Sequence, residues 1–515
     1  MLARAHAFTI EHLHTRHVTV EVDVRAGLPA FTIVGLADTA VREARERIRA
    51  AILNSGYEFP ARRITANLAP GDVRKAGAGL DLALACAVLA ASGQLPREEL
   101  ERVALFGELG LDGSVRPVHG ALAVAHAARR AGMRALALAP ACAREAMLID
   151  GLDVPAVEHL RSTARVLNGG RGDALHAPAA GARRKSPAID AQTDSMDRGD
   201  LGDVHGQHHA VKAMVIAAAG AHNVLLSGAP GTGKTMLARR IASILPPLSH
   251  AEAVEVTRIH SLSGVRVDAL AMRCPFRAPH HSITAAGLVG GATRGSIGEV
   301  VLAHNGVLFL DELSEFSRST LEALRQPLED GRVAIARAHH SALYPTRFML
   351  VAATNPCPCG FASEGDRCGC SEAELARHRR RLSGPMLDRI DLATALHLEV
   401  RDRPARALTT SAQAREQVAR ARELQAARLA PDGVTVNARM DGRMLSRHVK
   451  LDARSERMLH DARAAGLLSA RGEHRVLRVA RTIADLDATA RVRACDLGAA
   501  LALRPDASVA GNRAA

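Results

Sequence analysis

Eight consecutive residues, Gly228, Ala229, Pro230, Gly231, Thr232, Gly233, Lys234 and Thr235, combine three glycines with an amine and two hydroxyls. Glycine at 228, 231 and 233 lets the backbone turn back so that successive N–H groups converge on one point, where Lys234 adds a cation. Such a loop holds nucleotide phosphates, and Thr235 offers an oxygen to Mg²⁺. The flanks agree: 223–227 has strand composition, and 236–245 reads as a helix stopped by Pro246 and Pro247, which sets the phosphates at a positive helix N-terminus. Further on, the apolar run 307–310 ends in Asp311-Glu312. Asp311 can complete the Mg²⁺ shell that Thr235 begins, and Glu312 can polarise a water for in-line attack on the γ-phosphate of ATP. A third apolar run, 348–353, ends at Thr354-Asn355, where a polar side chain can position the same water. Arg389, in SGPMLDRID (383–391), stands beside two acids and suits either a structural ion pair or a finger reaching into a neighbouring subunit's ATP.

Four of the eight cysteines crowd into Cys357-Pro-Cys359 and Cys368-Gly-Cys370, while Cys86, Cys142, Cys274 and Cys495 stand singly. In a reducing compartment such a cluster suits a structural tetrahedral Zn²⁺; free or redox-active thiols are the alternative, because C-x-C is tighter than the common knuckle. His280 and His281 also invite a metal reading, but adjacent side chains diverge, so structural or DNA-facing roles are expected. The run Arg377, His378, Arg379, Arg380 and Arg381 reads as a solvated face, with guidance of DNA as the alternative.

The elements that position these residues need more than one core. A chain of 515 residues exceeds what a single core holds, and 47% apolar content can fill two or three. The net charge of +13 suggests a polyanionic partner, although arginine- and alanine-rich composition can give the same sign without one. No run reaches membrane-spanning length and the first residues lack a secretory apolar segment, so a cytoplasmic chain with reduced thiols and no membrane contact is expected. Residues 17–24 and 30–36 read as strands, Asp38 caps a helix that runs to Ser55, and 63–68 is a third strand. An apolar helix over 80–91, a hairpin over 105–118 turned at Asp112-Gly113, and a helix to 131 follow. From 168 to 199 the composition shifts to Gly, Ala, Pro, Arg, Ser and Asp without an apolar period, the mark of a flexible linker. Beyond 400, helices are expected over 411–429, 451–465 and 473–488.

The stretch FGELGLDGSVRPVHG (106–120), with the glycine loop before Leu80, resembles the proteolytic domain of the Lon family. Gly79 stands at the position of that family's serine nucleophile and Leu122 at that of its lysine base, so acyl transfer lacks both groups and a non-catalytic scaffold is expected. The phosphate loop, Asp311-Glu312, Asn355 and Arg389 together are those of an AAA+ ATPase. FRAPHHSITAAGLVGG, GEVVLAHNGVLFLDELSEF, ATNPCPCG and SGPMLDRIDL closely resemble the Mg-chelatase-like YifB/ComM family, over nearly the whole chain. The resemblance implies an α/β fold with a degenerate Lon-protease-like domain over 1–167 and a linker over 168–199. It further implies an AAA+ P-loop NTPase core with a parallel sheet and helix 2 and pre-sensor 1 inserts over 200–400, and an all-helical lid over 401–515. A homo-hexamer with ATP at the subunit interfaces is implied, with Asn355 as sensor 1, Arg389 as the trans finger and Arg471 as sensor 2; Arg475 is the second choice for that last role. One departure is KAGAGLDL (75–82), where relatives usually carry a bulkier residue before the aspartate and a proline after the leucine.

The family inserts a hairpin before sensor 1, here 332–345, with Arg337, His339 and His340 at its tip. Its match to the replicative MCM helicases, which carry a lysine where Arg337 stands, favours contact with DNA phosphates over a solvated turn. The resemblance thus implies an ATP-dependent motor on single-stranded or branched DNA, similar to helicases that move three-stranded junctions during natural transformation. The alternative is a chelatase-type ring that remodels a protein partner for Mg²⁺ insertion. A scaffold without motor activity has no need of Lys234, Asp311, Glu312 and Arg389 together.

Overall fold

The computed structural model describes residues 1–11, 14–36, 38–73, 75, 77–173, 199–265, 267, 269–291, 297–337, 340–362, 367–381, 384–397 and 409–505. The chain divides into two compact units, Met1–Ala191 with Ala253–Ala271, and Gln192–Glu252 with Met272–Ala515.

The first unit carries a six-stranded sheet in the order Ala30–Val34, Arg63–Ala69, His14–Arg25, Leu2–Glu11, Val103–Phe106, Ala135–Leu138. His14–Arg25 runs antiparallel to both neighbours, with Asp23 opposite Leu2 and Thr19 opposite Ala69. Its alternation buries Val18, Val20, Val22 and Val24 on one face. Leu2–Glu11 buries Ala3, Ala5 and Ala7 with the same period; the pattern escapes a sequence reading because alanine carries little strand preference. Asp38 caps the helix Thr39–Asn54, its carboxylate accepting from the Val41 N–H. The helix Asp81–Ala91 is buried along its whole length, which is why its sequence shows no polar face. The hairpin expected over 105–118 is shorter: Glu108–Leu109 pairs with Val115–Arg116, while Val103–Phe106 belongs to the main sheet. The Asp173 N–H donates to the Ala156 carbonyl and its carboxylate accepts from the Glu158 N–H; residues 174–198 lie outside the described ones.

Ala253–Ala271, which the sequence reading placed within 200–400, groups with the first unit. The helix His250–Leu262 buries Ala253, Val256 and Ile259 along one stripe, and Ser261 donates to the Glu145 carboxylate. A stripe of this kind shows that the helix buries a face, not which core receives it.

The second unit holds a five-stranded sheet, parallel at every pairing, in the order Phe276–Arg277, Val307–Leu310, Met349–Thr354, Val224–Gly228, Leu392–Leu396. Its three central strands are buried at every residue, as continuous apolar runs require. Leu310 pairs with Ala352 and Thr354 with Ser227, so the carboxyl ends of the three strands emerge in a short stagger at one edge of the sheet. Sheets of this kind bind ligands at that edge.

Helices Ser411–Leu429, Ala453–Ala464, Ala470–Leu486 and Ala494–Ala502 form the C-terminal region of this unit. A buried polar network joins Ser411–Leu429 and Ala470–Leu486 to His222, which lies between the helix His208–Gly220 and the strand Val224–Gly228. Arg428 donates to Asp485 through both guanidinium Nη atoms at 2.7 Å, and Arg481 Nη2 donates to the same carboxylate at 2.9 Å. Asn437 accepts from Arg428 and donates to Asp485 and Thr482, and Thr482 Oγ1 lies 2.8 Å from His222 Nε2. Each member satisfies another, so deleting one leaves buried polar atoms unpaired. Asn437→Ala is expected to cost the second unit roughly 2–3 kcal/mol, read as a lower urea midpoint; an unchanged midpoint would show that the network adds no stability.

Candidate active site

The strand Val224–Gly228 runs into the glycine loop, and the helix Lys234–Ile244 begins where the loop closes. Gly231 and Gly233 take φ of 83° and 90°, the left-handed region that a Cβ opposes, and Gly233 is the N-cap that turns the chain into the helix. At Gly228 a Cβ would lie 2.6 Å from the Leu396 carbonyl oxygen. Lys234 Nζ donates to the carbonyl oxygens of Gly228 at 2.6 Å and Ala229 at 2.9 Å, and to Asn355 Oδ1 at 3.0 Å. Burial lowers the pKa of this ammonium, against the opposing pull of Asp311 and Glu312. Thr235 Oγ1 donates to Asp311 Oδ2 at 2.7 Å, so the two oxygens expected around Mg²⁺ are already adjacent. The carboxyl ends of the parallel strands bring together residues that lie far apart in sequence.

Glu312 has φ of 51°, uncommon for a residue with a side chain, and its N–H donates to Asp311 Oδ1 at 3.0 Å. Its carboxylate faces His281, with Oε2 3.4 Å from Nδ1. The rings of His280 and His281 lie with centroids 4.0 Å apart, tilted by 36°, so the expectation that they diverge does not hold: the pair sits at a turn, where neighbouring side chains can share a side. The basic run is not a uniformly solvated face either. His378 is buried, with Nε2 2.9 Å from the Asn355 carbonyl oxygen, while Arg381 meets Glu315 at the surface. Sequence reasoning gave neither His281 nor His378 a place beside the nucleotide residues, and no local pattern distinguishes them.

Arg389 reaches an acid far along the chain. Its side chain, 8% exposed, meets Glu329, while Asp391 accepts from the Asn223 N–H at 2.9 Å and Asp388 lies 3.5 Å from Arg475. Arg475 donates to the carbonyl oxygens of Leu387 at 3.1 Å and Ile390 at 2.8 Å, clamping the turn that carries Arg389. Arg471, one turn earlier on the same helix, is exposed. Arg389, Arg471 and Arg475 line one cleft of about 650 Å³, and no phosphate-loop residue lines it. The structure therefore gathers Lys234, Thr235, Asp311, Glu312 and Asn355 at one edge and leaves Arg389 and Arg471 in a separate cleft. Arg332–Arg337 and His340–Pro345 form the expected hairpin, with Arg337 opposite His340; His339 lies outside the described residues.

The family described as magnesium chelatase, subunit ChlI, matches residues 200–403, subunit ChlI of Mg-chelatase matches 20–141, and its C-terminal family matches 408–504. The uncharacterized protein YifB of Salmonella typhimurium is 43% identical over 492 residues, 94% of each chain. The YifB of Escherichia coli is 43% identical over 477 residues, 91% of this chain and 90% of the other. Competence protein ComM of Haemophilus influenzae is 41% identical over 495 residues, 95% of this chain and 94% of the other. The chain belongs to the Mg-chelatase-like YifB/ComM family. In this family member the phosphate loop, Asp311, Asn355 and Arg389 all fall in the segment 200–403, and Arg471 in 408–504. Gly79 and Leu122 fall in 20–141. A Cβ at Gly79 would lie 2.4 Å from the Phe106 ring, and Leu122 is fully buried. Among the described residues no helix is long and apolar enough to cross a membrane.

Proposed function

We propose that this YifB/ComM family member hydrolyses ATP with Mg²⁺ and works in the cytoplasm as a hexameric motor on single-stranded or branched DNA. The hydrogen-bonded set of Lys234 with Asn355 and Thr235 with Asp311 carries the ATPase reading. On this reading Lys234 exchanges two backbone carbonyls for phosphate oxygens, Thr235 and Asp311 hold Mg²⁺, and Glu312 turns from His281 to the attacking water. The separate cleft that holds Arg389 and Arg471 supports a nucleotide site completed by a neighbouring subunit. Arg471 is the better candidate for phosphate contact, because Arg475 is committed to backbone carbonyls. Residues 1–167 serve as a non-catalytic Lon-like domain, 168–199 as a linker, 200–400 as the motor core, whose stretch Ala253–Ala271 groups with the first unit, and 401–515 as its lid.

The DNA reading rests on the basic balance of the chain, on the hairpin with Arg337 at its tip, and on likeness to a competence protein. Its rival, a ring acting on a protein partner, draws on the chelatase-subunit families that match the chain. ATP turnover measured against forked DNA over a salt series separates the two. The parent's rate should rise with DNA at low salt, and Arg337→Ala should weaken DNA binding and reduce the salt slope by about 1. A parent rate that ignores DNA at low salt would replace the DNA motor with the protein remodeller.

A further inference from the structure

Among the described residues, Cys357, Cys359, Cys368 and Cys370 form a group whose four sulfur atoms all lie within 4.8 Å of one another. Cys357 Sγ is 3.2 Å from Cys359 Sγ and 3.8 Å from Cys368 Sγ, and the last two are 3.7 Å apart. Four thiolates around one ion at about 2.3 Å stand about 3.8 Å apart along the edges of the tetrahedron. A disulfide needs about 2.05 Å, and all four cysteines are free. Neutral thiols gain little by converging on one point, and thiolates repel unless a cation sits among them. Cys357 is buried and Cys359 exposed, so the group is closed on the protein side.

The group is also tied to the nucleotide site. Cys357 follows Asn355 by two positions on the chain, and the turn it opens closes through the Gly360 N–H, which donates to the Cys357 carbonyl oxygen at 3.0 Å. Gly360 has φ of 88°, and a Cβ there would lie 2.4 Å from Cδ of Pro230, so this turn rests directly on the phosphate loop. On the far side, His378 holds the Asn355 carbonyl. The Arg367 guanidinium lies over the Phe361 ring, 4.3 Å from its centroid, and draws the second cysteine pair towards the first.

We propose that Cys357, Cys359, Cys368 and Cys370 hold one structural Zn²⁺, and that this metal knot keeps the 357–360 turn on Pro230 and Asn355 within reach of Lys234. The first half stands on the sulfur geometry; the strut role rests on the ATPase reading. Elemental analysis of the full chain purified without chelator should find about one zinc per chain, and cobalt(II) in its place should show the visible absorption of tetrahedral thiolate coordination. Cys368→Ser and Cys370→Ser should hold the metal at least about tenfold more weakly, whereas Cys495→Ser, outside the group, should keep it. Chelation of the parent protein avoids any substitution that fails to fold. It should speed amide hydrogen exchange across 354–361 and 229–233 and slow ATP turnover about 10-fold or more, both reversed by added zinc.

No zinc, iron in its place, or full zinc retention in both serine variants overturns the metal site. Zinc whose removal changes neither exchange nor turnover overturns the strut. A zinc-replete parent that does not hydrolyse ATP sinks the ATPase reading, and exchange at 229–233 then decides the strut.

Discussion

Glu312→Gln should bind ATP as tightly as the parent and hydrolyse it at least about a hundredfold more slowly. The amide keeps the shape of the side chain but cannot accept a proton from the attacking water. The phosphate cradle is left intact, since Lys234, Thr235 and Asp311 make their contacts without the Glu312 carboxylate. The substitution costs little stability, because the His281 contact is half exposed on both sides. Equilibrium nucleotide binding beside single-turnover hydrolysis checks both halves. Near-parental hydrolysis would assign the water to another residue, and lost binding would place Glu312 in the cradle.

Arg389→Ala should lose more, about a thousandfold in turnover, if its guanidinium stabilises charge on a neighbour's γ-phosphate. Folding should survive, since the Glu329 carboxylate left behind is 48% exposed and can be solvated. The decisive measurement mixes Arg389→Ala with Glu312→Gln. A Glu312→Gln subunit supplies the arginine to the intact carboxylate of an Arg389→Ala neighbour, so mixed rings should regain part of the turnover that each variant lacks alone. Turnover that stays at the level of the separate variants at every mixing ratio would return Arg389 to the structural ion pair with Glu329 seen in the single chain.

Features that depend on neighbours along the chain are legible in its residues. The phosphate loop was legible because its glycines are demanded by backbone conformation at Gly231 and Gly233, and its flanks by strand and helix periods. Asp311 and Asn355 were legible because each ends a continuous apolar run, the signature of a strand buried on both faces. The cysteine pairs announced themselves by spacing. Tertiary structure decided what depends on register and on choice of partner. The parallel register of the strands put Thr235 on Asp311 and Lys234 on Asn355, and a turn rather than a period aimed His281 at Glu312. Arg389 meets Glu329, sixty residues away, on a turn that Arg475 holds by the carbonyls of Leu387 and Ile390. The alanine-lined strand Leu2–Glu11 and the transfer of Ala253–Ala271 to the first unit were likewise hidden. Alanine fits helix, strand and core with nearly equal cost, so an apolar stripe built from it reveals burial without revealing against what.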